Sequence, residues 1–126
     1  MHRLSGIVTP ASAVYSAREL CHQLQSSDAK AIFTCVSLLG TAVEAARACG
    51  IPEDRIFLFE LPGDPQQMPP YATVNQLIIE GRTLAELEPL RWSKGQGARQ
   101  VAFLSYSSGT SGLPVSSGTL SRYVLC

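Results

Sequence analysis

The chain has 126 residues, ten Lys and Arg against ten Asp and Glu, and 45% hydrophobic residues, which bounds it to one small domain with no formal net charge. Its arginines are scattered singly rather than gathered into a basic stripe, which argues against a nucleic-acid partner. No apolar run approaches the ~20 residues of a membrane span. Residues 1–15 include Arg3, Ser5, Thr9, Pro10 and Ser12, too polar for the apolar core of a secretory signal. Cys21, Cys35, Cys49 and Cys126 form no C-x-x-C pair. The first three sit among apolar neighbours and read as small buried hydrophobes in a reduced, cytoplasmic chain.

In chain order, Leu4 to Thr9 is a short apolar stretch that Pro10 ends, a strand with Gly6 inside it. Ser16-Ala17-Arg18-Glu19 has the form of a capping box, in which Ser16 accepts from the Glu19 amide while Glu19 reaches back. It predicts a helix from about Ala17 to Gln25, with Leu20, Cys21 and Leu24 on one face. Ala31 to Val36 is a second strand, apolar on both faces as a parallel strand covered by helices should be. Ser37 is placed to cap a helix from Leu38 to about Cys49, where Leu39, Ala42, Val43 and Ala46 recur at helical spacing. Gly50 suits the position after its last turn, and Pro52 forbids continuation. Ile56 to Phe59 is a third buried strand. The resulting β-α-β-α-β order implies an α/β fold with a parallel sheet and right-handed crossovers.

Pro62 to Pro70 reads as an exposed loop. Val74 to Glu80 and Leu84 to Leu87 read as short helical pieces separated by Gly81, with Thr83 capping the second. Trp92 to Gly97 is a turn-rich connection. Val101 to Tyr106 is the fourth strand, and a loop of small hydroxyl residues and glycines leaves its C-terminal end. Ligand loops of open α/β sheets leave strands at that end. Glycines allow close backbone approach, and successive amides with Ser and Thr hydroxyls make an anion nest, so the loop reads as a phosphate site.

Known phosphate and nucleophile frames do not fit. Gly112 is followed by Leu-Pro-Val rather than Lys-Ser/Thr, which excludes a Walker A loop. No Gly-x-Ser-x-Gly frame exists. Gly95 and Gly97 lack a third glycine and precede the strand, so they make no dinucleotide fingerprint.

Tyr106-Ser107-Ser108-Gly109-Thr110-Ser111-Gly112-Leu113-Pro114 does resemble the phosphate-binding signature of the AMP-forming acyl-CoA synthetases, the adenylate-forming superfamily that includes 4-coumarate–CoA ligases and luciferase. Upstream, Gly6 to Ala11, Ser16 to Leu20 with Gln23 and Leu24, and Ala29 to Thr34 are similar to a segment of the same large N-terminal domain. The resemblance implies a partial N-terminal domain over residues 1–114 and a divergent tail over 115–126. It implies that Ser107, Ser108, Gly109, Thr110, Ser111 and Gly112 contact the phosphates of ATP. It further implies Mg²⁺, a small carboxylate as co-substrate and coenzyme A as acyl acceptor. The family pattern continues Pro-Lys-Gly, whereas this chain has Pro114-Val115-Ser116.

No catalytic residue and no metal ligand is assigned. The family's downstream adenine, ribose and lysine elements have no counterpart in this chain, which therefore reads as a truncated ligase, inactive alone. The alternatives are a stand-alone ATP- or phosphate-binding module and a non-catalytic remnant that docks on a partner. His2 and His22 have no Cys or Ser partner in a catalytic frame. Glu80, Glu86 and Glu88 read as solvated faces, Tyr106 as packing, and neither Lys30 nor Lys94 stands in for the missing lysine. Phe57, Phe59, Phe103 and Leu104 are the side chains most exposed to losing a packing partner, which predicts a marginal chain that self-associates or docks on a full-length ligase.

Overall fold

The computed structural model describes residues 6–63, 68–88, 90–108 and 114–117. They fall into two compact units, residues 13–86 and a second made of residues 1–12 with 87–126.

The first unit starts with helix α1, Ala17–Ser26. The expected capping box is formed. The Glu19 amide donates to Ser16 Oγ at 3.4 Å, and the Ser16 amide donates to Glu19 Oε2 at 2.9 Å. A cap of this kind is worth about 1 kcal/mol. Hydrogen bonds from the Ser16 hydroxyl and amide hold the Glu19 carboxyl below its ordinary value. Strand β1, Ile32–Thr34, follows, and then one turn of 3₁₀ helix, Val36–Leu38, leads into α2, Leu39–Cys49.

Ser37 is therefore not a cap. It lies inside the tight turn, 3.2 Å from Cys35 Sγ through its hydroxyl, and the Leu38 amide is served by the Cys35 carbonyl. The 3₁₀ turn meets the first orphan amides without a side chain. At the other end Gly50 takes φ 75°, the left-handed conformation expected of it, and the Ile51 amide returns to the Ala46 carbonyl at 2.9 Å.

Strand β2, Ile56–Leu58, lies parallel to β1 with Ile32 opposite Ile56 and Thr34 opposite Leu58. This is the β-α-β crossover that the sequence implies. Ile32 and Ile56 pack with Leu24, Ala42, Ala45, Ala46 and Ile51 in one core. The three alanines present little more than backbone, which lets α1 and the strands close onto α2.

The pair is buried on one face only. Phe33 is 38% exposed and Phe59 45%, and the Phe33 ring lies 5.1 Å from that of Phe57 and 6.1 Å from that of Phe59. The continuous apolar run thus hides a two-residue alternation: aliphatic residues face the helices, and aromatic ones gather outside them. Phe57, Phe103 and Leu104 are half-buried.

Helix α3, Val74–Gly81, begins at a second capping box, Thr73 with Gln76. The expected helix at Leu84–Leu87 does not form. Leu84 and Leu87 are exposed, and four residues that bury no apolar face cannot offset the cost of nucleating a helix. Thr83 instead donates from Oγ1 to the Glu80 carbonyl at 2.7 Å, closing α3.

In the second unit, the connection at Trp92–Gly97 runs into a four-residue helix α4, Gln96–Arg99, entered through Gly95 at φ 85°. Val8 bridges Phe103 in parallel, with its amide on the Ala102 carbonyl and its carbonyl taking the Leu104 amide, both at 3.0 Å. Among the described residues this bridge is what remains of the strand expected at Leu4–Thr9; Leu4 and Ser5 lie outside them. Strand β3, Ser105–Ser108, pairs antiparallel with β4, Pro114–Ser117. The α/β class holds, with one parallel pair and one antiparallel hairpin.

Candidate phosphate-binding site

The hairpin is where the sequence places its site. Phe103 makes the parallel bridge to Val8, and regular strand begins only at Ser105. The strand expected at Val101–Tyr106 is thus displaced toward the loop, and Ser107 and Ser108 belong to β3. The ladder pairs Ser107 with Val115 and Ser108 with Pro114. The first and last residues of the stretch Ser108–Pro114 are therefore brought side by side. Gly109, Thr110, Ser111 and Gly112 lie outside the described residues. Tyr106 is half-buried, and its hydroxyl is shielded from solvent with no hydrogen-bond partner among the described residues. A packing role at the strand fits that position.

The other candidates stay apart from chemistry. Glu80, Glu86 and Glu88 are exposed. Lys30 pairs with Asp28 at 2.5 Å on the surface. His22 is half-buried on α1, and His2 lies outside the described residues. Among the described residues no three His, Cys, Asp or Glu side chains gather as a metal site. No helix there is long and apolar enough to cross a membrane.

A separate open groove of about 490 Å³ lies in the first unit along α2, lined by Val36, Leu39, Val43, Arg47, Pro69 and Tyr71 among others. Its polar edge is a small network that no sequence spacing announces. Arg47 donates from Nε and a terminal nitrogen to Glu53 Oε1 at 2.9 and 2.7 Å, and the Tyr71 hydroxyl donates to Glu53 Oε2 at 3.1 Å. The hydrogen bonds from Arg47 and then Tyr71 hold the Glu53 carboxyl below its ordinary value. This edge is exposed and solvated, so it fixes the segment after α2 rather than offering a reactive group.

Comparison with known proteins identifies the family. The model of the AMP-binding enzyme family matches residues 1–114, and the chain belongs to that family. It is 39% identical over 118 residues to the acyl-CoA ligase cm3C of Cordyceps militaris, covering 89% of this chain and 18% of that protein. It is likewise 39% identical over 116 residues to the acyl-CoA ligase easD of Emericella nidulans, covering 89% of this chain and 20% of the relative. With the acyl-CoA ligase AKT1 of Alternaria alternata the identity is 40% over 114 residues, covering 89% of this chain and 19% of that one. The chain thus spans about a fifth of the length of these curated relatives. Among solved structures, a natural red-emitting luciferase from Phrixothrix hirtus shares the fold at a TM-score of 0.62 and 17% identity, over 89% of this chain and 26% of that one.

Proposed function

We propose that this chain carries the phosphate-holding part of an acyl-CoA ligase, a protein that activates a small carboxylate with Mg-ATP as an acyl-adenylate and passes the acyl group to coenzyme A. The observation that carries this reading is that the family match runs through residue 114 and so includes the whole stretch Tyr106–Pro114. Within it, Ser107, Ser108, Gly109, Thr110, Ser111 and Gly112 receive the β- and γ-phosphates.

The hairpin refines how. The ladder sets Ser107 opposite Val115 and Ser108 opposite Pro114, and in this reading both serines contribute hydroxyls. Amides and hydroxyls carry no full charge. They can therefore follow a pyrophosphate as it leaves without holding it too tightly. Mg²⁺ belongs to the same reading as the ion that would accompany ATP and neutralise part of the phosphate charge. A cytoplasmic location belongs to the same reading, on cysteines that sit among apolar neighbours with no C-x-x-C pair in the sequence. The exposed Phe33, Phe59 and Ile79 favour self-association of the isolated chain.

Calorimetric titration with Mg-ATP, pyrophosphate and AMP tests the reading. Contacts confined to phosphate give saturable binding of about millimolar strength, with pyrophosphate retaining most of the affinity of Mg-ATP and AMP retaining little. ATP–pyrophosphate exchange by the chain alone stays at the no-protein level. AMP binding as well as Mg-ATP, or exchange above background, would contradict the reading.

A further inference from the structure

Cys21 and Cys49 are 28 positions apart, too far for any spacing rule to join them. The packing of α1 on α2 does join them. Cys21 lies on the half of α1 that faces the alanines of α2, and Cys49 ends α2, so that their Sγ atoms are 2.8 Å apart. The Cys49 thiol also lies 2.8 Å from the Ala45 carbonyl and 3.6 Å from that of Cys21. Both residues are half-buried thiols. Cys35 has different company, the Ser37 hydroxyl.

We propose that Cys21 and Cys49 are a reversible dithiol–disulfide site, oxidised by a low-molecular-weight disulfide such as oxidised glutathione into a covalent bond between α1 and α2. The sulfurs have to close by less than about 1 Å to reach bonding distance, a movement within reach of side-chain torsions while the helices stay in place. The exchange balances in two steps. The Cys21 thiolate attacks one sulfur of oxidised glutathione, the glutathione S–S bond breaks, and one glutathione thiolate leaves. Cys49, its proton given up, attacks Cys21 Sγ; the mixed disulfide breaks and the second glutathione leaves. Two electrons pass from the cysteine pair to the oxidant, and the two thiol protons end on the two released glutathiones. Excess reduced glutathione runs the same steps backward.

The order of attack follows from the surroundings. Burial, followed by the hydrogen bond with Cys21, pushes the Cys49 thiol up to about 12. With the Cys49 thiol also engaged at the Ala45 carbonyl, 2.8 Å away, the first attack is assigned to Cys21. Once Cys21 carries glutathione, Cys49 is already beside the sulfur it must attack, and that proximity offsets its weak acidity. Among the described residues no second thiol lies beside Cys35, which stops at the mixed disulfide.

Trypsin separates the three described cysteines. Cleavage after Arg18, Lys30, Arg47 and Arg55 puts Cys21 in peptide 19–30, Cys35 in 31–47 and Cys49 in 48–55. The folded chain is incubated with oxidised glutathione, its remaining thiols are alkylated, and it is digested without reductant and analysed by mass spectrometry. The expected product is 19–30 joined to 48–55, about tenfold or more above any link to Cys35 or Cys126. That preference disappears when oxidation is done in concentrated guanidinium. In a Cys35→Ser, Cys126→Ser chain the same link forms, with the mass loss of two hydrogens. Links through Cys35 in comparable yield, or glutathione left on Cys21 with Cys49 alkylated, would overturn the proposal.

Discussion

Replacing Leu58 by alanine lowers the urea midpoint of residues 13–86 far more than truncating an exposed side chain of the same unit. Leu58 is 0% exposed and ends β2, where its amide donates to the Ala72 carbonyl at 3.0 Å and its backbone bridges Thr73. Truncating a buried leucine costs about 2–5 kcal/mol, from lost transfer energy and the cavity left behind. A whole domain holds only about 5–15 kcal/mol, and a small unit buries a smaller fraction of its surface than a large one. One side chain is thus a large share of a small margin. Ile79, 63% exposed on α3, supplies the comparison: Ile79→Ala shifts stability by less than about 0.5 kcal/mol. Equal midpoints for the two variants would mean that Leu58 is not buried as its position at the end of β2 requires.

Changing Val115 to lysine tightens Mg-ATP by about ten- to a hundredfold. The family pattern places a lysine directly after the proline of its signature, and this chain has Val115 there. Position 115 is in register with Ser107 across the hairpin, so a residue there is held next to the stretch assigned to phosphate. A hydrogen bond between an ammonium group and phosphate is worth about 1.5–3 kcal/mol, which is that factor in affinity. Val115→Gln, of similar length without the charge, leaves affinity within about threefold of the starting chain. The gain falls with added salt, because the contact is between opposite charges. Equal affinity for Val115→Lys and Val115→Gln would place residue 115 away from the bound phosphates.

What was legible in the sequence was whatever is encoded locally. Ser16 and Glu19 announce the start of α1, and Gly50 with Pro52 announces the end of α2, because a cap is satisfied by residues a few positions apart. Thr73 and Gln76 make the same box by the same rule at the head of α3, where only the helix itself had been anticipated. The phosphate stretch was legible because nine consecutive residues of restricted type carry it.

What was not legible depends on packing across the chain. Ser37 has the right chemistry for a cap, but the chain winds a 3₁₀ turn there and leaves its hydroxyl to Cys35. Leu84–Leu87 has helical propensity, but Leu84 and Leu87 stay exposed. Phe33 and Phe59 sit in apolar runs whose inner and outer faces cannot be told apart until β1 and β2 pair. The hairpin of β3 with β4 has no apolar alternation, since Ser-Tyr-Ser-Ser and Pro-Val-Ser-Ser are polar on both faces, and its register becomes apparent only when the chain folds back. Cys21 and Cys49 meet only because three alanines on α2 let α1 approach.

Phosphorus NMR of Mg-ATP titrated with the chain, and with a Ser108→Ala, Thr110→Val chain, tests most directly whether Ser107–Gly112 hold phosphate. The account predicts that the β and γ resonances broaden and shift while the α resonance changes much less, and that the doubly substituted chain abolishes the effect while keeping the urea transition of residues 13–86. Resonances that do not respond, or that respond equally with both chains, would contradict it.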